Sequence, residues 1–337
     1  MSNFSIHFAQ NRMVMGDYGF FPQVQYSIWI NIKLVLMADP LLILERIAVV
    51  TGANKGIGLE ICRQLASNGV MVVLTARDEK KGIEAVQKSL MADDGLSDNL
   101  MFHQLDVLDP SSIVSLADFL RTQFGKLDIL VNNAAIIGLE VDTDAFVPSA
   151  KHMPEEYINW KEVSMQTYEL AEECLQTNYY GAKRTIEAFV PLLQLSDSGR
   201  IVNVSSLSGK LKFVGNKWAQ TILGDADSLT EERVDEVLNE FLKDFKADLL
   251  EVIGWPSFLS AYTLSKAALN AYTRILAKKY PKVMINSVCP GYVKTDINCH
   301  RGTLSVEEGA ESPVWLALLP EGEPSGVFFS QKNVSPF

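Results

Sequence analysis

The sequence predicts an α/β protein with a doubly wound parallel sheet in a single domain. Three observations carry that prediction. Short apolar runs such as Ile47–Val50 and Val70–Thr75 are too brief for helices and suit strands covered on both faces. Segments whose apolar residues recur at helical spacing follow them, and strand–helix alternation at short spacing means parallel strands with helices on both sides. Between the first strand and the first helix lies Thr51-Gly52-Ala53-Asn54-Lys55-Gly56-Ile57-Gly58. Its glycines remove each Cβ that would keep the backbone from a phosphate. A helix starting at Gly56 or Ile57 aims free N–H groups and its positive end at that turn, which makes an anion site.

The elements follow in order. Ile57, Ile61 and Leu65 give the first helix an apolar face. Val70–Thr75 is the second strand, with Arg77 and Asp78 at its end, and Ile83, Val86 and Leu90 mark the next helix. Leu100–Leu105 is the third strand, closing on Asp106-Val107. Asp109-Pro110-Ser111 opens a helix with the stripe Ile113, Leu116, Leu120 and Phe124. Leu127–Val131 is the fourth strand, ending at Asn132-Asn133-Ala134-Ala135. Residues 136–161 are irregular, and a long helix from Tyr168 to Leu193 carries Asn178. Arg200–Val204 is the fifth strand, ending at Ser205-Ser206. Residues 207–255 read as an ordered helical insertion in which Ser228-Leu229-Thr230-Glu231 forms a capping box. A helix from Ala261 to Lys279, a strand from Met284 to Val288 and a short strand at Val327–Phe329 complete the chain. Ligands of such sheets bind beyond the carboxyl ends of the strands, where Lys55, Arg77, Asp106 and Asn133 all fall.

Composition sets bounds. With 337 residues, 47% hydrophobic and 21% charged, the chain has ample core. A net charge of −11 argues against a nucleic-acid surface. Cys62, Cys174, Cys289 and Cys299 show no Cys-x-x-Cys spacing and no nearby histidine pair, so neither a metal nor a disulfide framework is expected and a cytoplasmic setting fits. Residues 1–36 read as an extension upstream of a domain spanning 37–337. The apolar stretch Val24–Leu36 is interrupted by Gln25, Asn31 and Lys33, is too short to cross a bilayer, and lacks the basic start and cleavage site of a signal peptide. Poor order or peripheral packing is expected there, and no membrane partner.

Tyr-x-x-x-Lys occurs three times, at Tyr157/Lys161, Tyr179/Lys183 and Tyr262/Lys266. Only the third follows the Ser206 strand on a fresh helix. With Ser206, the glycine turn, Thr75-Ala76-Arg77-Asp78, Asn132-Asn133-Ala134, Asn178-Tyr179-Tyr180-Gly181, Gly254-Trp255-Pro256 and Pro290-Gly291, it makes the chain resemble the short-chain dehydrogenase/reductases. The resemblance runs from about Ile47 to the C-terminus. It is strongest to the larger, monomeric branch of carbonyl reductases and plant menthone and salutaridine reductases. One departure is Ala135, where many relatives carry glycine.

The residues supply a chemical argument of their own. Tyr262 and Lys266 are four apart and share a helix face. A free tyrosine has a pKa of about 10, too high for efficient proton transfer near neutrality, and a lysine cation is expected to lower it. Ser206 at a strand end can hold a carbonyl oxygen for hydride attack. The resemblance adds that Lys266 grips the nicotinamide ribose and that Asn178 holds a water linking Lys266 to solvent. It implies a Rossmann fold binding NADP(H). Gly52, Asn54, Lys55, Gly56, Ile57 and Gly58 would cradle the phosphates, Asp106 and Val107 flank the adenine, Asn133 line the cleft, and Val293 and Thr295 close over the nicotinamide. Lys55 and Arg77 lie where a 2′-phosphate would sit. Asp78, twenty residues past Gly58, stands where an NAD-type acid would grip the ribose, and is read instead as a helix N-cap.

These features imply an NADPH-dependent reductase interconverting a lipophilic ketone and its secondary alcohol. The insertion would cover the helices by which smaller relatives oligomerise, so a monomer is expected. Leu211, Phe213, Val214, Trp218 and residues 137–153 are candidate walls of an apolar pocket. The alternatives are a non-catalytic NADP-binding sensor or scaffold on the same fold, against which the intact Ser206, Tyr262 and Lys266 speak, and enoyl reduction, against which Ser206 speaks.

Overall fold

Along β1 (Ile47–Val50) successive side chains enter two different cores. Ile47 and Val49 join one, Ala48 and Val50 the other, as the two-residue period of a strand requires. β2 (Met71–Ala76) repeats this, with Met71 and Val73 on one side and Val72 and Leu74 on the other. A strand buried on both faces has no polar side, which is why these runs read as continuous apolar sequence. The structure is a computed structural model that describes residues 46–92, 94–96, 99–141 and 163–337. The extension 1–36, the domain start at Met37, the Tyr157/Lys161 pair and most of the irregular 136–161 stretch lie outside the described residues.

Eight strands form one sheet in the order β3 (Leu100–Gln104), β2, β1, β4 (Ile129–Asn132), β7 (Arg200–Val204), β8 (Met284–Cys289), β9 (Phe328–Ser330), β10 (Asn333–Val334). A separate hairpin pairs β5 (Glu140–Val141) with β6 (Ser164–Met165). All pairings in the large sheet are parallel except β9 with β10. The chain leaves β1 toward β2 on one side and returns to β4 on the other. That reversal opens a crevice beyond the carboxyl ends of β1 and β4, where such sheets bind ligands.

One face of the sheet carries α1 (Gly56–Ser67), α2 (Glu79–Ala92) and α11 (Val306–Leu318), whose Ile61, Leu65, Ala85 and Val314 share the core of Ala48 and Val50. The other carries α3 (Pro110–Gln123), α4 (Tyr168–Leu175), α5 (Ala182–Leu193) and α10 (Ser260–Lys279). The insertion folds into α6 (Leu211–Val214), α7 (Lys217–Gly224), α8 (Glu231–Lys246) and α9 (Leu250–Ile253). It joins this second core through Ile222, Val237, Leu238, Phe241 and Trp255. Each such side chain, fully buried, contributes roughly 1.5–3 kcal/mol, so the insertion is an integral part of the domain. Lys183 on α5, ion-paired to Glu231 and Asp235 of α8 at 3.2 Å, pins it further.

The structure departs from the sequence expectations in four places. The capping box at Ser228 does not form: Thr230 is the N-cap of α8, accepting from the Arg233 N–H at 3.3 Å, while the Ser228 hydroxyl donates to Asp225 at 2.6 Å. Ile83 is exposed, because α2 meets the sheet along Gly82, Ala85 and Ser89; at Gly82 the Phe102 ring fills the space a Cβ would need. The single helix expected over 168–193 is two α-helices joined by a π-helical stretch, Gln176–Gly181. The β5–β6 hairpin, β10 and α11 were not foreseen, although α11 has a capping box at Ser305 and Glu308.

Candidate active site

The glycine turn is built as an anion cradle. Gly52 and Gly56 have φ of +61° and +58°, the left-handed region that favours glycine. A Cβ on Gly52 would stand 2.8 Å from the Ala134 backbone, and one on Gly58 would stand 2.4 Å from the Asn133 amide. No side chain caps the N-terminus of α1, which leaves its first-turn N–H groups aimed at the turn. The end of β4 holds the turn in place. The Thr51 hydroxyl accepts from the N–H groups of Asn133 and Ala134, both at 3.0 Å, and the Asn133 amide donates to the carbonyls of Thr51 and Gly52 at 2.9 and 3.1 Å. Asn133 is therefore spent on shaping the cradle, a use the sequence did not reveal. Asn54, Lys55 and Ile57 line its outer edge, half-buried or exposed.

Past β2, Arg77 is exposed, and its guanidinium makes no ion pair among the described residues. Asp78 does cap α2: its carboxylate accepts from the Lys81 N–H at 3.0 Å, and that bond, with nearby Lys81 and Lys80, holds the group below its ordinary carboxylate range. Asp106 accepts from the Leu108 N–H at 2.9 Å, and Val107 fills the space beside Gly181. The residues present thus fit an NADP phosphate group: a glycine cradle, an uncapped helix N-terminus and an unpaired arginine.

Ser206, Tyr262 and Lys266 come together beyond the ends of β7 and β8. The Ser206 hydroxyl lies close enough to the Tyr262 phenol to favour its ionised form, and it accepts from the Ser208 N–H at 3.1 Å, so this serine also caps the turn that follows it. Lys266 is almost wholly buried; its ammonium donates to the Val204 carbonyl at 2.8 Å and lies 5.7 Å from the Tyr262 ring centroid. Asn178 is also buried. Its amide oxygen accepts from the Ile136 N–H at 2.8 Å, and its NH2 group donates to the Ile136 carbonyl at 2.9 Å and the Ser265 hydroxyl at 3.0 Å. The π turn aims it there; the extra residue in one helical turn is a common device at functional sites. Its side chain is therefore committed to protein partners.

Burial dominates the electrostatics of the pair. Burial pushes the Tyr262 phenol above its ordinary value, only partly offset by the Ser206 hydrogen bond. Burial acts on the lysine as well, bringing it down to about 8. Desolvation is the largest effect on both because each charged form has left water.

Elsewhere around the cleft, the Val293 side chain packs against Gly309 of α11, so it can offer the cleft only its backbone. The Thr295 methyl stands 3.5 Å from where a Gly56 Cβ would lie, which brings the loop after β8 onto the cradle. Asp296 ion-pairs with Lys55 across that junction, and Lys55 holds the Asp296 carboxyl below its usual range. Of the candidate pocket walls, Val214 is core and Leu211 packs against it, whereas Phe213 and Trp218 stay substantially exposed. Tyr179 is fully buried in the core, which removes the second Tyr-x-x-x-Lys pair from consideration. Sequence reasoning missed Asp296, Ser265 and Gly209. A glycine three residues past Ser206 was the available signal for the last: a Cβ there would stand 2.7 Å from the Lys266 backbone, so its absence lets the Ser206 turn lie directly on α10.

Comparisons with known proteins agree with this geometry. Residues 46–218 match the profile described as short chain dehydrogenase, and 249–313 match one described as enoyl-(acyl carrier protein) reductase. The chain is 60% identical over 294 residues to (+)-neomenthol dehydrogenase of Arabidopsis thaliana, covering 87% of this chain and 98% of that one. It is 40% identical to the mouse protein named carbonyl reductase [NADPH] 3, covering 86% and 98%. The solved structure of salutaridine reductase from Papaver somniferum, 56% identical, superposes with a TM-score of 0.80 over 85% of this chain and 99% of that chain. A glycine-cradled crevice, a serine–tyrosine–lysine cluster at the strand ends and these similarities lead to one conclusion: the chain belongs to the short-chain dehydrogenase/reductase family, as an oxidoreductase of its plant neomenthol dehydrogenase and salutaridine reductase branch.

Proposed function

We propose that this chain is an NADPH-dependent reductase that interconverts a lipophilic cyclic ketone, such as a monoterpenoid or alkaloid carbonyl, with its secondary alcohol. The observation that carries the reading is the gathering of Ser206, Tyr262 and buried Lys266 at the strand ends, next to the glycine cradle. The names of the relatives, a neomenthol dehydrogenase, a salutaridine reductase and an NADPH carbonyl reductase, support the substrate class and the cofactor.

When bound, NADPH supplies the hydride that the carbonyl carbon takes up. Gly52, Gly56, Gly58 and the N-terminus of α1 would hold its pyrophosphate, and Arg77 and Lys55 its 2′-phosphate. Ser206 orients the substrate oxygen. The Tyr262 hydroxyl gives that oxygen its proton as negative charge develops there, and takes it back in the oxidative direction. A phenol kept protonated by burial suits the donor role. Lys266 would hold the ribose, and its ammonium, 5.7 Å from the Tyr262 ring centroid, would steady the phenolate left behind. Asn178 fixes the floor through Ile136 and Ser265. The enoyl reductase profile over 249–313 favours a second reading, reduction of a carbon–carbon double bond; the serine beside the tyrosine oxygen favours carbonyl chemistry.

Tyr262→Phe removes the proton and leaves the ring. With a panel of cyclic ketones, NADPH consumption is expected to fall by about 10²-fold or more; undiminished turnover by this variant overturns the reading. A monomer is also proposed, since the insertion covers α4 and α10, and light scattering giving a dimer or tetramer mass rejects it. Among the described residues no helix is long and apolar enough to cross a membrane, and a cytoplasmic location is proposed from the free cysteines.

A further inference from the structure

The helix that carries Tyr262 and Lys266 starts badly. Its N-cap position is Leu259, which offers no side-chain hydrogen bond and sits at φ +51°, a left-handed conformation that leucine adopts only at a cost. Tyr262 is the third residue of α10, within the turn that frays first when its N–H groups lack partners. Yet Ser260 at the first helical position is wholly buried. Something outside the helix must satisfy and hold that turn.

That group is Gln166. Its amide oxygen accepts from both the Ser260 N–H and the Ser260 hydroxyl, each at 2.9 Å. Its NH2 group donates to the Ser257 carbonyl at 3.2 Å. One side chain thus grips the chain on both sides of the strained Leu259. Gln166 lies between β6 and Thr167, the N-cap of α4, whose hydroxyl accepts from the Leu170 N–H at 3.2 Å. The chain then runs along α4 to Asn178, which donates to Ser265 further along α10. Two amides, Gln166 and Asn178, therefore tie the α4 segment to α10, one at its first residue and one just before Lys266. Tyr262 lies between the two ties.

We propose that Gln166 is a positioning residue for Tyr262: by capping α10 from outside it holds the tyrosine hydroxyl in register with Ser206 and Lys266. The inference rests on the proposed role of Tyr262. A displacement near 1 Å of a reacting group is enough to cost about 10²-fold in rate, so partial fraying of one turn is expected to cost turnover about tenfold.

Two variants of the full chain separate this role from a merely structural one. Gln166→Leu keeps the bulk and loses all three bonds. Gln166→Glu keeps the acceptor oxygens and adds a charge that favours a helix N-terminus. With NADPH and the most rapidly reduced ketone of the cyclic panel, Gln166→Leu should lose about tenfold in kcat with its KM for NADPH within about twofold of the parent, whereas Gln166→Glu should stay within about threefold in kcat. Hydrogen exchange should rise over residues 260–264 in the leucine variant and not in the glutamate variant. Parental kcat and exchange in Gln166→Leu, or a Gln166→Glu chain as slow as Gln166→Leu, overturns the proposal. Should Gln166→Leu not fold, Gln166→Asn, one methylene too short to reach Ser260, takes its place with the same two outcomes. Tyr262→Phe run alongside distinguishes the failures: if it stays active the proposed function is wrong, and if it is inactive while Gln166→Leu is not, only the positioning role is.

Discussion

Gly209→Ala tests the packing that joins the serine turn to the tyrosine helix. The new Cβ would meet the Lys266 carbonyl carbon at 2.7 Å and its Cβ and oxygen at 2.9 Å, short of ordinary contact at 3.4 Å by about half an ångström or more. Those atoms belong to a buried helix backbone and cannot swing aside, so the Ser206 turn must lift. Gly209 does not have a positive φ, so alanine adds no backbone strain, and its lower unfolded-state entropy favours folding by about 0.4–1 kcal/mol. Overpacking a well-filled site costs about 1–3 kcal/mol and wins. The expected results are a melting temperature lower by a few degrees and a kcat lower by about tenfold, since a shift of roughly half an ångström separates Ser206 from Tyr262 and a full ångström costs about 10²-fold. The KM for NADPH should hold, because the glycine cradle is elsewhere. Gly224→Ala is the control: its Cβ meets only a Leu211 methyl at 3.1 Å, which can move. Parental kcat in Gly209→Ala would show that the close approach to Lys266 does not set the geometry.

The charges carry three further predictions. Burial lowers Lys266 to about 8 from its ordinary 10.5, so kcat/KM for ketone reduction should fall as pH rises through about 8, and a profile flat to pH 10 refutes the role given to its cation. The same shift bears on stability. Between about 8 and 10.5 the unfolded chain holds the proton and the folded one does not, so stability from this group rises with pH across that window, and the burial penalty is fully present below it. Lys266→Met should therefore gain most in melting temperature over the parent near pH 7 and lose that advantage by pH 10.5. Arg77→Ala should raise the KM for NADPH far more than for NADH, while Asp78→Asn, still able to cap α2, leaves the preference in place; equal effects of Arg77→Ala on both cofactors reject the 2′-phosphate assignment.

The sequence alone determined the doubly wound sheet, because strands buried on both faces read as apolar runs, and Ile47–Val50 and residues 71–74 are too short to be helices. It determined the cradle too, since glycine adopts the φ of Gly52 and Gly56 without the cost a side chain brings and leaves no Cβ there to meet a phosphate. That Ser206, Tyr262 and Lys266 meet was implied by the resemblance that the order of its motifs carries. Tertiary structure decided what local spacing does not encode. Ile83 faces solvent because a ring from another strand occupies the space over Gly82. The helix through Asn178 needs a π turn so that its amide meets Ile136 and Ser265, both far away in sequence. Burial, which depends on every neighbour at once, sends Tyr262 up and Lys266 down where four-residue spacing on a helix predicted a lowered phenol. The support for that helix comes from Gln166, ninety-four residues before Ser260, a partner that no window along the chain could have named.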